Sequence, residues 1–130
     1  MSLALKVWSE TETEMLAATV IAKDAVATGA AFDTWKLKYA AVQVDVSIVM
    51  GASIDGNATV AILGSTDGTN FSTAGTDNMG GSIPFTAGAT VRKSFLVWDL
   101  YAFKVAVVNG TTTEDDMTVT ITARPYRWES

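Results

Sequence analysis

The sequence predicts an all-β protein, a two-sheet antiparallel β-sandwich of jelly-roll type. Apolar and polar residues alternate with period two over several segments, Asp-Gly, Asn-Gly and Gly-rich pieces punctuate them at short spacing, and no helical periodicity persists. With 130 residues, 48% hydrophobic and 18% charged, the chain reads as a single domain over residues 1–130, able to bury about two thirds of the surface its unfolded form exposes. Strands with one apolar face bury it against a second sheet, and roughly seven to nine such strands make a sandwich.

Residues 1–24 read as an N-terminal arm or an extra strand. Within Ser9 to Ala27, Ser9 and Glu12 have the spacing of a capping box and Ala-rich sequence follows, which suits a short helix. The β-branched Thr19-Val20-Ile21 and the lack of a three-to-four repeat favour a strand. Trp35, Leu37 and Tyr39 alternate with Lys36 and Lys38, predicting a strand that leads into Ala41–Ile48, where Val42, Val44, Val46 and Ile48 share one face and Gln43, Asp45 and Ser47 the other. After a loop around Asp55-Gly56-Asn57, the stretch Ala58 to Thr73 reads as a strand, a tight Asp67-Gly68 turn and a second strand opening on Phe71, so two hairpins are expected to abut.

From Gly75 to Gly88, glycines, Asp77-Asn78 and Pro84 predict a long surface loop. Val91, Lys93, Phe95 and Val97 then alternate, with Trp98 out of phase and expected to face outward. Tyr101, Phe103, Val105 and Val107 line one face of the next strand, which Asn109-Gly110 is expected to end. Past a polar turn over Thr111 to Asp116, Met117, Val119, Ile121 and Ala123 alternate with Thr118, Thr120, Thr122 and Arg124 in the most regular strand of the chain. Val44, Val46, Phe103, Val105, Val119 and Ile121 are the expected core.

Composition removes several function classes. There is no cysteine and no histidine, hence no disulfide, no thiolate and no Ser-His or Cys-His nucleophile. A formal charge of −5 with nine scattered basic residues offers no cationic stripe for phosphates, so nucleic acid is not an expected partner. No apolar run reaches the roughly 20 residues of a membrane span, and Glu10, Glu12 and Glu14 stand where a signal peptide would be basic, so neither membrane nor export signal is expected.

Asp67, Gly68 and Asn70 carry the oxygens of a calcium loop but lack its further carboxylates and closing Glu, so they read as a structural turn. Glu114-Asp115-Asp116 reads as a solvated turn. Paired carboxylates can cleave glycosides without histidine, yet no two acidic residues are placed together by any motif, and no catalytic residue, metal or cofactor is expected. The tryptophans Trp8, Trp35, Trp98 and Trp128 suit core, subunit contact or a sugar-stacking platform. Trp98, Tyr126 and Trp128 are the candidates for an exposed contact, whether to another subunit or to a ligand.

The pieces AVATGAAFDTWKL, AVQVDVS, ATVAILGSTDGTNFST, YAFKVAVVNG and MTVTITARPY, spread over Ala25 to Tyr126, resemble small β-sandwich structural proteins of tailed bacteriophages and prophages. That resemblance implies a non-catalytic virion component of head or tail accessory type, made in the bacterial cytoplasm, a homo-oligomer that contacts itself and other virion proteins. The turn Ser65 to Phe71 is also similar to a hairpin of discoidin-like carbohydrate-binding jelly rolls, which implies a glycan ligand instead. Phe71 stands where those modules commonly carry Trp, and the Gly75–Gly88 segment lacks the aromatics and Arg of their sugar sites. A small enzyme is the third reading.

Overall fold

The computed structural model describes residues 4–35, 38–73, 81–84, 87–98 and 100–129. Their strands are β1 (Leu5–Trp8), β2 (Thr13–Ile21), β3 (Val26–Thr28), β4 (Ala41–Met50), β5 (Gly56–Ser65), β6 (Gly81–Pro84), β7 (Thr90–Trp98), β8 (Ala102–Thr111) and β9 (Met117–Glu129). Two antiparallel sheets result. The first has the order β1-β9-β4-β7, with β2 beside β1 on the same edge of β9, and the second the order β3-β8-β5-β6.

The pairings β5–β6, β4–β7, β3–β8 and β2–β9 are nested one inside the next. The chain is therefore a long double strand folded back at the β5–β6 connection and rolled into two layers, the topology of a jelly roll. The segment Ser9 to Ala27 holds strands and no helix: its β-branched residues pair with β9, with register shifts between Glu14 and Leu16 and between Leu16 and Thr19.

The alternation of β4 and β9 decides which faces meet. Val42, Val44, Val46 and Ile48 of β4, with Val119 and Ile121 of β9, are wholly buried against Phe103, Val105 and Val107 of β8 and Val60 of β5. A second, smaller apolar layer lies on the far side of β5 and β8, where Phe71 packs on Ala61, Leu63 and Ala106. Both faces of β5 are thus covered, which is why its sequence is apolar almost throughout instead of alternating.

Several local expectations are corrected. Asp67-Gly68 does reverse the chain, but Phe71 opens no strand: the return is a Ser72 N–H to Gly64 O bond at 3.0 Å, and the Phe71 ring swings over the sheet instead. The loop after β4 carries the chain from one sheet to the other, so β4 and β5 are not members of abutting hairpins. Thr34, Trp35 and Lys38 are in turn conformation, with Lys38 N–H bonded to Trp35 O and Tyr39 N–H to Thr34 O, both at 3.0 Å, and Lys38 at φ 57°. Positive φ at Lys38 breaks an extended run, so Trp35 and Tyr39 do not lie on one strand; the expected alternation at Lys36 and Leu37 falls outside the described residues. Part of the Gly75–Gly88 segment forms strand β6 on the sheet edge, and residues 74–80 and 85–86 lie outside the described residues. Asn109-Gly110 does not end its strand: both residues are inside β8, and Asn109 is fully buried.

Candidate functional site

In an antiparallel sheet, residues opposite one another project from the same face. Trp8 on β1 is opposite Tyr126 on β9, Tyr126 is opposite Ala41 on β4, and Ala41 is opposite Trp98 on β7. Ala41 is buried on this outer face, between flanking aromatic positions. Further along β1 and β9, Lys6 faces Trp128. Its Nζ sits 4.7 Å from the Tyr126 ring centroid and 5.7 Å from that of Trp128, close enough for cation–π attraction to hold both rings in place.

The aromatic row continues around the end of the sandwich. The Trp35 N–H donates to Tyr101 O at 3.0 Å, and the two rings stack at 5.2 Å with 18° between their planes. Between this pair and the row on the sheet lies an open depression of about 690 Å³, lined by Trp35, Trp98, Tyr101, Trp128 and smaller apolar neighbours. Trp35 is 66% exposed, Trp98 63% and Trp128 55%. Rings left this open in water are unfavourable for the isolated chain, and such patches mark contact sites.

Of the three residues singled out in the sequence, Trp98 and Trp128 are exposed beside this depression. Tyr126 lines it too, but is only 8% exposed, held between Trp8 at 4.8 Å and Trp128 at 5.8 Å. It supports the outer rings more than it offers surface. Trp35 was named among the four tryptophans but placed in an alternating strand, and Tyr101 was placed on a strand face with Phe103; their stacking goes with the Trp35 N–H to Tyr101 O bond. Leu96 was missed, although it shares the outward phase of Trp98 on β7.

Among the described residues, no carboxylate, lysine or arginine lines this depression, so it presents none of the charged groups that commonly carry acid–base catalysis. Thr34 also lines it while being only 5% exposed, and its Oγ1 has no hydrogen-bond partner among the described residues.

The Asp67 turn lies against Tyr101: a side chain at Gly68, which holds φ 75°, would come within 3.6 Å of that ring. Asp67 Oδ1 accepts from the Asn70 and Thr69 N–H groups at 2.8 Å each, and Oδ2 accepts from Asn70 Nδ2 at 2.8 Å. Ser65 Oγ donates to Oδ1 at 2.9 Å. The Asn70 backbone bond first, then the Asn70 side chain, Thr69 and Ser65, hold the Asp67 carboxyl well below the usual carboxylate range. Its oxygens are occupied by the turn's own donors, and the described residues hold no cluster of three or more potential metal ligands. Asp115 likewise accepts from Ser53 N–H and Asp116 N–H at 2.8 Å each, tying the β8–β9 turn to the β4–β5 loop.

No family model matches the chain, and no curated protein matches it in sequence.

Proposed function

We propose that the protein is a non-catalytic structural subunit of a phage or prophage particle, and that it works through contacts made by the aromatic end of its sandwich. The observation that carries this reading is the convergence of Trp35, Trp98 and Trp128, each more than half exposed, around one depression without a charged group among its described lining. Tryptophan and tyrosine at the centre of a contact contribute most when water is excluded from around them. A chain of 13.7 kDa has little surface of its own, and particle proteins gain occupancy by symmetric repetition and multivalent attachment.

Carbohydrate binding is the second reading. It is favoured by the stacked Trp35–Tyr101 pair and by the Thr34 hydroxyl, unpartnered among the described residues, since a sugar ring offers both an apolar face and donors. The two readings separate by experiment. Sedimentation velocity at micromolar concentration is expected to give an oligomer that Trp128→Ala weakens, with no glycan retained on an array. A monomer that binds glycans would replace the first reading with the second.

A further inference from the structure

One edge of the first sheet is open among the described residues, and its hydrogen-bonding groups can be assigned residue by residue. Met50 N–H donates to Ala89 O at 2.9 Å, which extends the β4–β7 register by one pair beyond Val49–Thr90. Antiparallel pairs alternate between those that exchange both hydrogen bonds and those that exchange none. The odd-numbered residues of β7 therefore bond to β4. The N–H and C=O groups of Thr90, Arg92, Ser94, Leu96 and Trp98 point away from the sheet, where no strand pairs with them among the described residues. All five residues are exposed.

The geometry points to a second copy of this chain as the partner of that edge, paired antiparallel about a two-fold axis at Ser94. This rests on the reading that the protein acts by self-association, and it names how. In that register Ser94 meets Ser94 of the second copy, Arg92 meets Leu96, and Thr90 meets Trp98, so every outward N–H and C=O of the strand finds a partner. Edge strands commonly carry charges that deter indiscriminate pairing, and Arg92 and Lys93 do so here. In this register neither stands directly across from a like charge: Arg92 lies across from Leu96 and diagonal to Trp98, and Lys93 lies across from Phe95, while the two Lys93 side chains are diagonal to each other across the axis on the inner face. A two-fold axis normal to the sheet also leaves both aromatic depressions on the same side of one continuous sheet. The pair then offers two copies of the contact surface to the rest of an assembly.

Charge placement on the exposed face of β7 tests the register. Leu96→Arg sets a second guanidinium opposite Arg92 of the other copy, twice over by the symmetry, and sedimentation equilibrium is expected to show dimerisation weakened roughly tenfold or more. Adding Arg92→Glu to Leu96→Arg turns both oppositions into ion pairs and is expected to restore the dimer to near the wild-type constant. Circular dichroism melts check that each variant is folded. A wild-type chain that stays monomeric, or a double variant no tighter than Leu96→Arg alone, overturns the proposal. If Trp128→Ala dissociates the protein while the β7 variants do not, the edge pairing falls and the aromatic contact stands.

Discussion

Asn109, buried in β8, donates from Nδ2 to the carbonyl oxygen of Ile21 at the end of β2, 2.8 Å away. The bond joins the two sheets at one end of the sandwich, between residues far apart in sequence. The same amide reaches Asp115 O at 3.3 Å, and its Oδ1 accepts from Thr111 N–H at 3.1 Å, so the side chain is satisfied on both sides. Asn109→Ala leaves the Ile21 carbonyl and the Thr111 N–H buried without it. A loss of about 3 kcal/mol is expected in urea unfolding, at roughly 1 to 3 for each group stranded. A change below about 1 kcal/mol would mean that water replaces the amide.

Phe103 is wholly buried and stacks on Phe32 with 5.7 Å between ring centroids. Phe103→Ala is expected to cost about 3 to 5 kcal/mol, the transfer term plus the cavity left in a core that cannot fully collapse. Chemical denaturation measures it, and a loss under about 1 kcal/mol would place the ring on the surface and reverse the faces of β8.

Gly68 holds φ 75°, and among the described residues outside its chain neighbours nothing lies closer than 3.6 Å to an added Cβ. A Cβ therefore has room, and the left-handed backbone is what resists substitution. Gly68→Val is expected to destabilise by about 1 kcal/mol or more, with Gly68→Asn costing less because Asn tolerates the left-handed region. Equal midpoints for both variants in urea would rule out backbone strain as the cause.

Asp67 links the same turn to pH. Its carboxyl ionises below the ordinary value near 3.8 because Asn70, Thr69 and Ser65 donate to it. A depressed folded pKa gives stability that is fully present above the unfolded value and is lost as pH falls through the folded one. The urea midpoint of the wild type is expected to exceed that of Asp67→Asn at about pH 6, and the gap to narrow below about pH 4. A gap that does not change with pH would remove the carboxylate from the explanation.

The sandwich was legible where one face of a strand is buried and the other wet. Val42 to Ile48 and Met117 to Ala123 alternate in the sequence because their two faces meet different surroundings in the fold. Legibility failed where neighbours distant in sequence decide. Asn109-Gly110 has the composition of a turn, yet β8 runs through it because β5 lies alongside, with Asn57 opposite Gly110. A side chain at Gly110 would collide with Asn57 O. Lys38 takes the left-handed region and Trp35 is exposed, neither of which an alternation rule can anticipate. In the proposed contact surface, Trp98 was recognisable from its phase on β7 and Trp128 from its place near the chain end. The partnership of Trp35 with Tyr101 exists only once the turn has formed.

The exposure of the tryptophan rings themselves is the most direct test of the proposed contact surface. Hydroxyl-radical footprinting with mass spectrometry reads oxidation at Trp35, Trp98 and Trp128 separately, in concentrated and in dilute protein. The rings are open in the single chain, so dilute protein is expected to oxidise readily at all three, and concentrated protein to be protected at Trp98 and Trp128. Equal oxidation of these rings at both concentrations, in a sample that sedimentation shows to be associated, would contradict an aromatic contact and move the interface elsewhere.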